Sequence, residues 1–215
     1  MQFLTPTPLQ YTHKTPRNRN AIFQILDCKL ANLIHDSTLL LCRLKDNLLA
    51  LQALILYQII RLFDGDARQL ANAERHLELL DSWTLRLHQN YFQVLSRSEK
   101  DSAYSHWVLV ESIRRTTMVS VLLRSLFSVM KDGHCQLVPL MCTLPVSNKG
   151  RLWKGPEIDW SKENSASEGE VLTYVEWARQ WNAGNIHSID EYEKLLLVTC
   201  RHATGTEGFK VEGNT

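Results

Sequence analysis

Between Arg17 and Val138 the chain contains no proline, and before Gly133 it contains one glycine, Gly65. A β-sandwich or a doubly wound α/β domain uses Gly and Pro at its many tight turns. A stretch this long without them predicts an all-α fold made of long helices with few corners. The 215 residues suffice to bury a core without staples. The five cysteines, Cys28, Cys42, Cys135, Cys142 and Cys200, are odd in number and scattered, which points to a reducing compartment rather than a disulfide framework.

Apolar spacing predicts helices over 22–33 and 37–63, then a turn at Asp64-Gly65-Asp66 with a helix cap. A third helix is expected from Ala67 to Leu95, its apolar series Leu70, Ala73, Leu77, Leu80, Leu87, Tyr91 and Val94 broken at Thr84. Residues 96–102 read as a loop. A fourth helix should run from Ala103 to Lys131 and end on Gly133 as a left-handed cap. From His134 to about Ser165, Pro139, Pro145, Gly150, Gly155 and Pro156 predict an irregular, Trp-containing connection. Two short helices then close the chain, with Ser167-x-x-Glu170 and Ser188-x-x-Glu191 as capping boxes and Gly184 between them. The expected organisation is a flexible lead-in over 1–20, one helical domain over 21–203 and a disordered tail over 204–215.

The N-terminus lacks the basic-then-apolar order of a secretory signal, and Pro6, Pro8 and Pro16 interrupt any transit-type helix. The greasiest run, Leu48 to Phe63, contains Gln52, Gln58 and Arg61 and reads as a buried helix, with no membrane partner expected. Charge is nearly balanced, 24 basic against 23 acidic residues, which excludes a polybasic nucleic-acid binder; no direct DNA contact is expected.

Catalytic signatures are missing. The run from Gly150 to Gly155 is followed by Pro156 where a phosphate loop needs Lys, and no nucleophile elbow or dinucleotide fingerprint occurs. No two histidines stand three or four apart, and His134, Cys135 and Cys142 fit no zinc module. The expectation is therefore no enzyme, no cofactor and no metal.

One constellation remains. On a helical wheel of the fourth helix, Glu111, Arg114 and Arg115 fall in the same sector as Trp107, Met118, Val121, Leu122 and Val129. Glu111 reaches Arg114 at i+3 and Arg115 at i+4. Three charges inside an apolar face imply a partly buried network, because single desolvated charges are too costly. Such a network fixes helix register; alternatively, one guanidinium is left to hold an anionic ligand or an acidic partner. The first reading is preferred, since buried polar networks usually specify packing. Trp153 and Trp160 flank the irregular connection, and Trp177 and Trp181 are i, i+4 neighbours. These rings anchor loop and helices to the bundle, and Trp107, Trp153 and Trp160 are candidate groove aromatics.

Trp107-x-x-x-Glu111-Ser112-Ile113-Arg114-Arg115-Thr116, followed by Leu152-Trp153, Trp160 and Leu195-Leu196-Leu197-Val198-Thr199-Cys200, resembles the regulatory (middle homology) region of fungal zinc-cluster transcription factors. The likeness runs from about Thr38 to Ala203 and is strongest to regulators encoded in secondary-metabolite gene clusters. It implies a nuclear transcription-regulator-like protein (cytoplasm is the alternative) that acts through a transcription factor or co-regulator, with a small-molecule ligand as a further possible partner. The six-cysteine zinc domain of that family has no counterpart here, since none of the five cysteines forms a C-x2-C pair. The resemblance thus implies a regulatory region without its reader, or a chain whose zinc domain lies upstream of Met1. The alternative function is an all-α ligand-sensing or protein-interaction module outside transcription.

Overall fold

In a computed structural model, the described residues are 13–40, 43–95, 103–147, 153, 171–186 and 189–203. Among them are eight helices: α1 (Arg19–Leu40), α2 (Leu44–Asp64), α3 (Ala67–Arg75), α4 (Leu77–Leu95), α5 (Ala103–Asp132), α6 (Val138–Thr143), α7 (Tyr174–Asn182) and α8 (Glu191–Ala203). A two-stranded ribbon, β1 (Pro145–Ser147) with β2 (Val171–Thr173), is the only sheet there, so the fold is all-α. The chain divides into two compact units, residues 1–94 and 95–215.

In the first unit α1 starts at Arg19 and runs to Leu40, longer at both ends than the sequence predicts, and α2 begins at Leu44. Asn18 caps α1: its carbonyl accepts the Ile22 N–H, while its side chain accepts from Thr15 N and donates to His13 O. Residues 1–12 lie outside the described residues. The α1 residues Phe23, Leu26, Leu30 and Leu33 and the α2 residues Leu51, Leu54, Ile55 and Tyr57 are all buried. Helix α2 is 21 residues long and apolar enough to cross a membrane by length and composition, with 61% of its most apolar window buried inside the protein.

The turn after α2 depends on Gly65, because a Cβ there would sit 2.2 Å from the Arg61 carbonyl oxygen. Asp66 then caps α3 by accepting the Gln69 N–H at 3.0 Å. The single helix expected over 67–95 is instead two, parted at His76, whose N–H turns back to the carbonyl of Ala73. Arg61 lies beside the break. Its buried guanidinium pairs with Asp27 and lies 3.3 Å from His76 Nδ1, which is 2.7 Å from the Asn72 carbonyl. The shorter contact needs a protonated Nδ1, so that nitrogen donates to Asn72 and Arg61 only abuts it. The break at Thr84 is no break at all. Its hydroxyl donates to the Leu80 carbonyl at 2.6 Å, and with that bond made Thr84 is buried beside Trp83.

In the second unit α5 ends one residue past its predicted limit, and Gly133 takes a left-handed φ of 75°. Of the connection beyond, residues 134–147 are more regular than Pro139 and Pro145 suggest, while 148–152 and 154–165 lie outside the described residues. Pro139 occupies the first turn of α6, where a missing N–H costs nothing, and Pro145 opens β1. The ribbon pairs Val146 with Leu172, and both side chains point into the core with Met118, Val121, Leu122, Met141, Leu144, Tyr174, Trp177 and Leu196. The buried Tyr174 hydroxyl donates to the Leu196 carbonyl at 2.6 Å, tying α7 to α8. Helix α7 starts at Tyr174 with Thr173 as its cap, not at the expected Ser167, which lies outside the described residues. Gly184 ends α7 with φ 76°. Asp190 caps α8, and the expected Ser188 lies outside the described residues. Asp190 Oδ1 accepts the Glu193 N–H at 2.8 Å, and Glu193 Oε2 accepts the Asp190 N–H at 2.7 Å.

Candidate functional site

Glu111, Arg114 and Arg115 occupy consecutive turns of α5, and all three are buried, at 2%, 6% and 9% exposure. Helical spacing brings them to one carboxylate. Arg115 Nε donates to Glu111 Oε1 at 2.7 Å, and Arg114 Nη1 lies 2.8 Å from Glu111 Oε2. The second contact is an ion pair out of line for a hydrogen bond. Arg114 Nε is also buried without a hydrogen-bond partner among the described residues.

Arg115 is the hub. Its Nη1 donates to Asp190 Oδ2 at 2.9 Å, so its two carboxylate partners come from α5 and from the cap of α8. Its guanidinium carbon lies 4.7 Å from the centroid of the Trp153 ring and 4.5 Å from that of Tyr192. At these distances both rings make cation–π contacts with the same guanidinium. Arg115 thus has two carboxylates on its nitrogens and two aromatic rings against its guanidinium.

The electrostatics follow from this enclosure. Burial by itself depresses the Arg115 pKa, but hydrogen bonds and charges from Glu111 and Asp190 outweigh it and raise the value above the ordinary one. Burial, reinforced by the Glu111 charge, pushes the Tyr192 phenol well up. Burial also raises Glu193, against the opposing hydrogen bond from the Asp190 backbone. Two guanidiniums thus face Glu111 and Asp190, with the Glu193 carboxyl at the edge. Such an arrangement clamps helices. It presents no nucleophile–base pair, and among the described residues no group of three His, Cys, Asp or Glu could hold a metal.

The aromatic candidates part company. Trp153 joins the Arg115 cluster while remaining 38% exposed. Trp107 stacks on Tyr104, ring centroids 6.3 Å apart, and is only half-buried. Trp160 lies outside the described residues. Met118, Val121 and Leu122 are buried as their wheel sector predicts, whereas Val129 is 39% exposed because the last turns of α5 run past the core. Trp177 is fully buried and Trp181 half-buried. Sequence reasoning missed Asp190, Tyr192 and Glu193. Asp190-x-x-Glu193 is itself a capping-box spacing and was a signal for the first and last of these.

No protein-family model matches the chain. No solved structure matches it either. The chain is similar to transcription factor gsfR2 of Penicillium aethiopicum, 32% identical over 209 residues, with 92% of this chain covered. It spans 50% of that relative's length. In sequence, then, the chain is fungal transcription-factor-like, matching about half of such a protein.

Proposed function

We propose that the chain is a nuclear transcription regulator of the kind that serves fungal secondary-metabolite gene clusters, and that these residues work through protein contacts rather than by reading DNA. The observation that carries this reading is the similarity to gsfR2 through 92% of the chain. Two features support the mechanism. The 215 residues contain no C-x2-C pair and carry a net charge of only +1, too little for the phosphate contacts that dominate DNA affinity. The cluster around Arg115 is matched internally, as in a structural clamp, and lacks the open polar set that catalysis needs.

The experiment is a tethered reporter. The chain fused to a foreign DNA-binding domain should change transcription from a promoter carrying that domain's sites, while the purified chain should not retard random duplex DNA at physiological salt. A silent fusion that is expressed and nuclear would sink the regulatory reading, and salt-sensitive retardation of DNA would sink the protein-contact mechanism.

A further inference from the structure

Three of the six prolines follow a threonine, and the pairs Thr5-Pro6, Thr7-Pro8 and Thr15-Pro16 all precede Arg17. No acidic residue precedes Asp27, while Lys14, Arg17 and Arg19 stand one before, two after and four after Thr15. A hydroxyl followed by proline, with basic side chains around it, is the pattern that proline-directed protein kinases accept. Proline brings no N–H into the kinase cleft beside the acceptor, and it biases the acceptor's own backbone away from helix and towards the extended form.

Of the three threonines, Thr15 lies among the described residues, and its surroundings suit an acceptor. Thr15, Pro16 and Arg17 are all exposed, and they precede α1 rather than belong to it. They form one turn: the Asn18 N–H donates to the Thr15 carbonyl at 3.2 Å, and the Thr15 N–H donates to Asn18 Oδ1 at 2.6 Å. Opening that turn breaks local bonds and moves side chains that are exposed or half-buried, an inexpensive excursion. Several other hydroxyls are committed to the fold. Those of Thr84, Ser112 and Ser125 donate to carbonyls of their own helices, and that of Thr173 caps α7. Helix α1 is capped by Asn18, so the Thr15 hydroxyl is not needed there. The charges beside it are held in place, since Lys14 and Arg19 both reach Asp64 at the end of α2.

We propose that Thr15 is a phosphorylation site for a proline-directed protein kinase using ATP. The kinase's base takes the hydroxyl proton, Thr15 Oγ1 bonds the γ-phosphorus, and the bond from that phosphorus to the bridging oxygen breaks to release ADP. The product carries about −2 of new charge beside Lys14, Arg17 and Arg19, in a stretch that otherwise holds basic residues alone up to Asp27. One phosphate cancels most of that positive charge, and it competes with the Asp64 carboxylate for Lys14. This site lies apart from the Arg115 cluster and does not depend on how the chain acts in transcription.

The test incubates the full chain with a purified cyclin-dependent kinase and magnesium ATP, and maps phosphate by mass spectrometry. A synthetic peptide spanning residues 11–21 serves as the unfolded reference. Thr15 should be phosphorylated in the folded chain at no less than a tenth of the peptide's rate, because the turn that holds it is local. Pro16→Ala should slow the reaction at Thr15 at least tenfold, and Thr15→Ser should keep it. Both variants should show the parent's circular dichroism spectrum and melting temperature, because the two positions are exposed. Phosphate confined to Thr5 and Thr7, or a rate at Thr15 indifferent to Pro16→Ala, would overturn the proposal. So would a folded chain that takes up phosphate at less than a tenth of the peptide's rate, or a peptide that takes up none. A negative result removes this site while leaving the regulatory reading intact, since the tethered reporter tests that separately.

Discussion

The Asp190 carboxylate divides its two oxygens between two tasks: Oδ2 accepts from Arg115 Nη1 at 2.9 Å, and Oδ1 caps helix α8 by accepting the Glu193 N–H at 2.8 Å. Seventy-five residues separate the ion pair. One short side chain therefore sets both where α8 begins and which part of α5 it meets. Arg115 returns the constraint, because its planar fork satisfies Glu111 and Asp190 at once while its faces lie against Trp153 and Tyr192.

Arg115→Ala should destabilise the chain by about 3–5 kcal/mol, since it leaves buried Asp190 without its cation and Glu111 with only the Arg114 ion pair. Arg115→Lys should recover less than half of that, because a point charge cannot serve both carboxylates in the fork geometry. Urea denaturation followed by tryptophan fluorescence measures both. A loss below about 1 kcal/mol in the alanine variant would show that the cluster is solvated.

Asp190→Asn separates the two tasks. Asparagine still caps a helix, so the start of α8 should survive, while the charge-assisted bond to Arg115 weakens. Asp190→Ala removes both and should cost about 1 kcal/mol more than the asparagine variant. Equal losses in the two variants would mean that the cap contributes nothing to stability.

The first unit should lose stability in mild acid. The pKa of His76 lies below the ordinary 6.5, chiefly through burial, with the Asn72 carbonyl opposing and the Arg61 and Arg75 charges adding to the depression. His88 is lowered by burial as well. The unfolded chain therefore takes up these protons first as pH falls. Their contribution is complete well above pH 6.5 and is lost as pH drops through and below that value. Glu193 runs the other way: its raised pKa disfavours the folded state as pH climbs through the ordinary carboxylate range. Urea midpoints should fall between pH 7 and pH 5, and His76→Gln should flatten that slope. An unaltered slope in the variant would exclude His76 as its source.

Two glycines should respond differently to alanine. At Gly133 a Cβ meets nothing within 4 Å, so the cost is the left-handed backbone alone, about 1 kcal/mol. At Gly65 the φ is an ordinary −78°, yet a Cβ would strike the Arg61 carbonyl and the Gln69 side chain. The turn would have to open, so Gly65→Ala should lower the melting temperature more than Gly133→Ala. The reverse order would show that the α2–α3 turn yields easily.

The helices and the α5 face were legible because both are local. Absent Pro and Gly set the class, and spacings of three and four placed Glu111, Arg114 and Arg115 together. What pairs with them was not legible. Asp190 and Tyr192 lie some seventy-five residues on, and nothing near them distinguishes a buried pair from a solvated helix start. The break at His76 carries no Pro or Gly to announce it, and the Arg61 guanidinium that lies beside its ring is fifteen residues away in sequence. The ribbon escaped notice because strands of three residues with one inward side chain each leave no alternation to detect. At Thr84 polarity misled, since a hydroxyl bonded to its own helix can be buried.

The order of synthesis gives the Asp190–Arg115 pair a further meaning. Helix α5 leaves the ribosome dozens of residues before Asp190 does, and during that interval Glu111 alone faces two guanidiniums. A nascent chain that has not reached residue 190 holds an unbalanced positive charge where its core must close, and an interrupted product keeps it permanently. A chain cut before residue 190 should therefore close its second unit less stably, and such fragments should be more open to proteolysis.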